Sequence, residues 1–262
     1  MLSSSLTPKL KHTKEFNHNS KNFLSQTFKR KISKIVVSCV KEIGARISVI
    51  IPTLNEANGV AHVIREVRRA LPCSEIIVVD GDSSDGTPDI AKREGAKLIT
   101  VTKRGYGAAI KEGIRKSSGE FLLIVDGDGT YDLSNLEELV KCADQNTVVV
   151  GCRFHSKPAG MGFVNFVGNF LLSLLFRVLW FVPIKDSQSG LKLFPKKLGL
   201  TLSQDGMEIS TEILVNAKRN FLRIKEVQIP SYRKRLGGSS KLNPLRDGVR
   251  IALFVLKQRL TR

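Results

Sequence analysis

The segment Phe121-Leu122-Leu123-Ile124-Val125-Asp126-Gly127-Asp128-Gly129-Thr130 joins a run of five apolar residues to a turn that carries two carboxylates. A short continuous apolar run bounded by glycines reads as a β-strand buried on both faces. Asp126 and Asp128 stand two residues apart, so in an extended segment their side chains point the same way. Paired hard oxygen ligands suit Mg²⁺ or Mn²⁺, above all when a nucleotide diphosphate supplies the remaining oxygens. Alone, an Asp-x-Asp would read as a solvated turn. Its place directly after a buried strand turns it into a candidate metal site.

The same grammar recurs on either side. Ile47–Ile51 ends in Pro52-Thr53-Leu54-Asn55-Glu56, and Ile76–Val79 ends in Asp80-Gly81-Asp82-Ser83-Ser84-Asp85-Gly86-Thr87. Leu98–Val101 precedes Lys103-Arg104-Gly105-Tyr106-Gly107, and Val148–Val150 ends in Gly151-Cys152-Arg153. Helical periodicity fills the intervals 56–70, 87–94, 106–117 and 133–142. Strands alternating with helices predict an α/β fold with a mostly parallel central sheet and helices on both faces. Ligands in such sheets bind beyond the carboxyl ends of the strands. Three strand ends therefore present carboxylates to one edge, and a fourth presents a guanidinium. Asp85 or Thr87 is explained by capping the next helix. Asp80 is placed instead to accept from a base N–H or a ribose hydroxyl. The Gly105–Gly107 turn into a helix suits close approach by phosphate or sugar.

The chain has 262 residues and a net charge of +18. Residues 1–46 carry 10 basic and 2 acidic side chains, residues 216–262 carry 13 and 2, and the 169 between them carry 19 and 20. A near-neutral body with basic ends predicts an anionic partner met at the ends and argues against a nucleic-acid groove in the body. Cys39, Cys73, Cys142 and Cys152 form no Cys-x-x-Cys or Cys/His cluster, so they read as reduced, mostly buried thiols. Residues 1–45 read as a disordered basic extension; a cleaved targeting peptide is disfavoured because Lys outnumbers Arg and Lys34 interrupts Ile32–Val40. No uncharged apolar run of spanning length occurs, and no spanning helix is expected.

The ordered set Val-Ile-Ile-Pro-Thr-Leu-Asn-Glu (49–56), Val-Val-Asp-Gly-Asp-Ser-Ser-Asp-Gly-Thr (78–87), Gly-Tyr-Gly-Ala-Ala (105–109), Val-Asp-Gly-Asp-Gly-Thr-Tyr (125–131) and Gly-Cys-Arg (151–153) resembles glycosyltransferase family 2. Asp186-Ser187-Gln188-Ser189-Gly190 and Arg235-Leu-Gly-Gly-Ser-Ser240-Lys241 look like its polyprenyl-phosphate branch, typified by dolichyl-phosphate mannosyltransferase. The likeness covers about residues 47–245. It implies a GT-A fold and an inverting transfer of a hexose from a nucleotide sugar, of the GDP-mannose or UDP-glucose type, to a polyprenyl or dolichyl phosphate. By position, Pro52, Leu54 and Glu56 would line the base pocket, Asp80 would contact the base, and Asp82, Lys103 and Gly105 would complete the donor site. Asp126 and Asp128 would hold Mg²⁺ or Mn²⁺ on the diphosphate. Arg153, Ser189, Arg235, Ser240 and Lys241 would face donor or acceptor phosphates. Many relatives place a Gln two residues after the second aspartate as a further metal ligand; Thr130 stands there here.

Chemistry agrees with a phosphate acceptor. A sugar hydroxyl needs a placed base, whereas a phosphate monoester, with a second pKa of about 6, is already largely dianionic at pH 7. Such an enzyme needs cations to bring two phosphates together and a metal on the leaving diphosphate. Asp186 would be the base if the acceptor were a hydroxyl, and otherwise a group that orients its neighbours. Two other classes compete: a basic nucleic-acid-binding protein, which leaves the acidic strand ends unexplained, and a metal-bound nucleotidyltransferase.

Gly162–Pro183 is the most apolar stretch, and Asn165, Asn169, Ser173 and Arg177 lay one polar stripe along it. It reads either as a core helix with a solvent edge or as a helix at a membrane interface (about residues 160–182). Residues 243–262 read as a second amphipathic helix with basic residues Arg246, Arg250, Lys257 and Arg259, attracted to anionic headgroups. Between the strand Ile224–Ile229 and that helix, Gly237-Gly238 gives Ser231–Lys241 hinges for closing over a donor. Glu208 and Glu212 resemble positions in relatives that flank the acceptor region, and read equally as a plain surface pair. The scheme is an extension over 1–45, a glycosyltransferase domain over 46–242 and the terminal helix, with peripheral attachment to the cytoplasmic face of a membrane.

Overall fold

The computed structural model describes residues 42–102, 105–154, 158–238 and 240–261. Lys103, Cys39 and nearly all of the basic extension lie outside the described residues. Seven strands, β1 (Ile47–Thr53), β2 (Glu75–Asp80), β3 (Lys97–Thr100), β4 (Phe121–Ile124), β5 (Thr147–Cys152), β6 (Lys192–Pro195) and β7 (Arg223–Gln228), form one sheet in the order β3-β2-β1-β4-β6-β5-β7. β6 runs antiparallel to β4 and β5, and the other pairings are parallel. Every residue of β1, β4 and β5 is buried, as continuous apolar runs require, while the edge strands β3 and β7 carry exposed positions.

From β1 onward, the helices among the described residues are α1 (Ala57–Ala70), α2 (Thr87–Arg93), α3 (Tyr106–Lys116), α4 (Leu136–Lys141), α5 (Phe163–Trp180), α6 (Lys196–Gly199), α7 (Ile209–Arg219) and α8 (Pro244–Leu260). α1 buries Val60, Val63, Ile64 and Val67, the spacing of one helical face. On the other face of the sheet, Ile110 and Ile114 of α3 join Ile213 and Leu214 of α7 in a core with Ile50, Ile77, Leu122 and Val150. β6 is absent from the sequence reading because Lys192 breaks its apolar run and Pro195 closes it after four residues.

α5 departs from the first of its two readings, a core helix with a polar solvent edge. The polar stripe is tied to the domain: Ser173 is buried, its hydroxyl accepts from the Ser187 N–H at 3.0 Å, and Arg177, itself exposed, donates to the Ile184 carbonyl at 3.2 Å. Asn169 reaches Met161, and Asn165 Oδ1 is buried. The outward face is instead apolar, with Phe163, Val164, Phe170, Leu171, Leu174 and Val178 all exposed. α8 packs against α5 and continues that surface through Leu245, Val249, Leu253 and Leu260. Cys73, Cys142 and Cys152 are free thiols; Cys73 is exposed, contrary to the expected burial.

Candidate active site

The β1–β2 register places Thr53 beside Asp80, and the loops that follow are knitted into one unit. Asp80 is fully buried: its Oδ1 accepts from Thr53 Oγ1 at 2.9 Å and Ser83 Oγ at 2.6 Å, and its Oδ2 from the Ser83 N–H at 2.8 Å. The Asn55 N–H donates to Ser83 Oγ, the Ser84 N–H to Asn55 Oδ1, the Glu56 N–H to Thr87 Oγ1 and the Ala57 N–H to Asp85 Oδ2. Asn55 and Asp82 take positive φ values of 55° and 68°, which their short polar side chains tolerate. Pro52 and Glu56 are buried, while Leu54 and Asp82 are exposed at the rim. A cleft of about 350 Å³ opens here, lined by Asn55, Glu56, Ser84, Asp85, Gly237, Gly238 and Lys241.

Asp126 and Asp128 lie immediately beyond β4. Tyr106, the first residue of α3, donates its hydroxyl to Asp126 Oδ1 at 2.7 Å. On the other side the Asp186–Gly190 turn presses against the same carboxylate, and any Cβ at Gly190 would overlap it. Asp126 keeps partial solvent access at its surface, yet protein crowds it closely. That burial, reinforced by the neighbouring Asp128 charge, pushes its pKa up to about 6. Asp128 Oδ1 accepts from the Thr130 N–H at 3.0 Å and from Thr130 Oγ1 at 2.7 Å, and Oδ2 accepts from Arg235 Nη1 at 2.8 Å. The second arm of Arg235 donates to Glu56. Two crowded carboxylates, with a guanidinium drawn onto Asp128, form a hard-oxygen pair that fits Mg²⁺ or Mn²⁺. Among the described residues no third His, Cys, Asp or Glu joins them as a ligand cluster, and the Thr130 hydroxyl is engaged with Asp128.

At the end of β5 the outcome differs from expectation. Arg153 does not extend toward a phosphate site. Its Nε donates to Asp186 Oδ2 at 2.7 Å, its Nη2 to Asp186 Oδ1 at 2.8 Å, and its N–H to Asp186 Oδ2 at 3.0 Å. Asp186 is fully buried and the Arg153 side chain is 6% exposed, with Phe154 and Tyr232 rings against the guanidinium. Breaking such a pair would strand a buried charge, so both partners are held. Ser189 is likewise turned inward, donating to the Gly151 carbonyl at 2.6 Å, and Tyr131 receives the Gly190 N–H at 2.7 Å. Beneath this turn lies Lys192, whose pKa burial lowers to about 7 against the raising influence of Asp186.

The glycines at the start of α3 have a protein neighbour. The Gly107 and Ala108 N–H groups donate to the Asp205 carbonyl, and Cβ atoms at Gly105 and Gly107 would overlap the 204–206 backbone. The close approach expected of phosphate or sugar is made by this backbone instead. Glu208 pairs with Arg250 at 2.8 Å, and Glu212 accepts from the Ser203 and Gln204 N–H groups, so Glu212 anchors a loop. The glycine-bearing segment is zipped to the Asp126–Thr130 loop: the Arg233 N–H donates to the Thr130 carbonyl and the Leu236 N–H to that of Asp128. Ser240 and Lys241 follow, both exposed, and Lys241 lines the cleft. The structure brings Pro52, Leu54, Glu56, Asp80, Asp126, Asp128 and Arg235 to one edge, with the Asp80 oxygens taken by Thr53 and Ser83, and it adds Tyr106, Tyr131 and Lys192, which the sequence did not single out. Tyr106 stood in view between two glycines. A lysine inside an apolar run was the signal for Lys192.

Comparison with known proteins decides the family. Residues 48–187 match the model of glycosyl transferase family 2. The chain belongs to that family. It is 30% identical over 223 residues to glycosyltransferase AglJ of Haloferax volcanii, covering 82% of this chain and 72% of that protein. It is 28% identical over 214 residues to the dolichyl-phosphate hexose transferase of the same organism, covering 80% of this chain and 92% of the relative. Among solved structures, glucosyl-3-phosphoglycerate synthase from Mycobacterium tuberculosis, in complex with Mn²⁺, UDP-glucose and phosphoglyceric acid, superposes with a TM-score of 0.67 at 21% identity, over 84% of this chain and 82% of that one. The family 2 chain therefore has the α/β GT-A fold and is a glycosyltransferase.

Proposed function

We propose that this glycosyltransferase moves a hexose, with inversion, from a nucleotide sugar to a polyprenyl or dolichyl phosphate. The observation that carries the reading is the engagement of Asp186: both of its oxygens are taken by Arg153, and no solvent reaches it. A hydroxyl acceptor needs a base free to take its proton. A phosphate brings its own negative oxygen and needs none. A relative named dolichyl-phosphate hexose transferase supports this acceptor, and a structural neighbour holding Mn²⁺, UDP-glucose and a phosphorylated acid supports the donor class and the metal.

In this reading Pro52, Leu54, Glu56, Asp80 and Asp82 shape the base and ribose pocket. Asp126 and Asp128 hold Mg²⁺ or Mn²⁺, which when bound neutralises the leaving diphosphate. Arg235, Ser240 and Lys241 ride on the segment beside the cleft, where Arg235 can exchange Glu56 and Asp128 for phosphate oxygens. The Arg153–Asp186 pair and Ser189 fix the floor on the acceptor side.

The same reading places the protein peripherally on the cytoplasmic face of a membrane. α5 is long and apolar enough to cross a bilayer, with a mean hydropathy of 1.6 and 17% of its length buried. Yet it turns Ser173, Phe176 and Trp180 into the domain, which suits a helix lying along an interface. Its apolar outer face, beside the basic side chains of α8, would enter the headgroup region, each well-placed cation adding about 1 kcal/mol on anionic lipid.

The test is incubation of the protein and Mg²⁺ or Mn²⁺ with a panel of radiolabelled nucleotide sugars and a polyprenyl phosphate, followed by organic extraction. Label in the lipid phase is expected for one donor. Transfer to water-soluble hydroxyl acceptors alone would refute the acceptor.

A further inference from the structure

Lys192 has no part in the reading above, yet it lies buried between two strands directly under the site. Because β6 runs against its neighbours, its first residue lies at their carboxyl ends, paired with Ile124 of β4 and Val150 of β5. Asp126 and Arg153 emerge from those two strands, so Lys192 sits between their roots. The side chain is 1% exposed. Burying an ammonium is costly, and an apolar residue of similar length would fill the space without that cost.

What such a residue could not do is donate. Nζ donates to the Ser189 carbonyl, to the Ser187 carbonyl at 3.3 Å and to Ser210 Oγ of α7 at 2.6 Å, three acceptors for the three protons of an ammonium. Ser210 Oγ in turn donates to the Ser189 carbonyl at 3.1 Å. Two carbonyls from alternate residues thus converge on one buried side chain, which fixes the Ser187–Gln188 and Ser189–Gly190 peptide planes. The turn so fixed carries Asp186, which holds Arg153, and Gly190, which lies against Asp126.

We infer that Lys192 is a positioning residue: its ammonium sets the conformation of the Asp186–Gly190 turn and so holds the acceptor side of the site in register with the donor side. Its action on turnover rests on the transfer reaction proposed above, while its action on the turn does not.

Two measurements on Lys192→Met separate these. Amide hydrogen exchange of peptides covering residues 186–191 is expected to quicken by about 10-fold or more while the strands of the core keep their protection. kcat with a short-chain polyprenyl phosphate is expected to fall about 100-fold, as for a reacting group displaced by an ångström, while the Mn²⁺–nucleoside diphosphate dissociation constant stays within about threefold. Ser210→Ala removes one of the three acceptors and keeps the charge. It should quicken exchange of the same peptides by about threefold, and it decides the matter if Lys192→Met does not fold. If the parent protein transfers nothing to polyprenyl phosphate, the acceptor reading fails and the exchange measurement still stands. Unchanged exchange over 186–191 in the folded variants, or a Lys192→Met enzyme that turns over at the parent rate, overturns the assignment.

Discussion

Replacing Tyr106 by Phe deletes one hydroxyl and tests the metal assignment at its most exposed joint. That hydroxyl donates to Asp126 Oδ1 at 2.7 Å, and burial raises the phenol's own pKa well above its ordinary value, so it acts purely as a donor. A hydrogen bond to a charged group contributes about 1.5–3 kcal/mol. The bond favours the ionised carboxylate, so without it the pKa of Asp126 moves further above about 6 and a larger share is protonated at pH 7. A metal must displace that proton. Both effects weaken metal binding, and since 1.4 kcal/mol is about tenfold, the expected loss is about 10- to 100-fold. Titration of Mn²⁺ by electron paramagnetic resonance, with nucleoside diphosphate present, measures it directly. The deficit should widen from pH 8 to pH 6, because the variant's carboxylate takes up its proton over a higher range. A Tyr106→Phe protein whose Mn²⁺ affinity stays within twofold of the parent across that range would refute the view that Asp126 is a metal ligand oriented by this phenol.

Asp128→Ala is expected to abolish transfer while circular dichroism stays native, since its neighbours are both glycines of a loop. Asp186→Asn leaves a buried guanidinium without its counter-charge and should cost about 3–5 kcal/mol in chemical denaturation; a variant as stable as the parent would contradict the buried pair. Burial raises the Glu75 pKa, but hydrogen bonds from Ser48, Ser118 and Lys97 outweigh it and bring the group down to about 2. Its folded value lies below its unfolded one, so Glu75 stabilises the protein above about pH 4.5 and the gain fades as pH falls toward 2. Glu75→Gln should therefore lose about 1 kcal/mol at pH 7, discounted for its solvent exposure, and nothing at pH 2, with kcat unchanged. The paired change Phe170→Glu and Leu174→Glu should abolish co-sedimentation with anionic vesicles and leave Mn²⁺–nucleotide binding intact; vesicle binding that survives it would exclude the outer face of α5 as the contact.

The strands that position the site were legible because each couples a buried apolar run to a polar turn, and the local chain dictates both. Asp126 and Asp128 stand out for that reason. The Arg153–Asp186 pairing was not legible, because 33 residues separate the partners and the fold brings them together through the reversed strand β6 and Glu226 of β7. Periodicity drew the polar stripe of α5 correctly but could not say which side meets the protein: a helical repeat defines a face and is silent about its partner. Gly105 and Gly107 were read as making room, which they do. Glycine signals close approach without naming what approaches, and here it is the 204–206 backbone.

The reversal of β6 has a mechanical consequence. Asp126 leaves the sheet along one chain direction, while Gly190, which abuts it, enters along the other. A two-residue slip between β4 and β6 would keep every side chain on its proper face, yet it would part these two by about 7 Å. Correct strand alignment is thus read out at the catalytic edge itself, and a misthreaded molecule forfeits its chemistry before it forfeits its core.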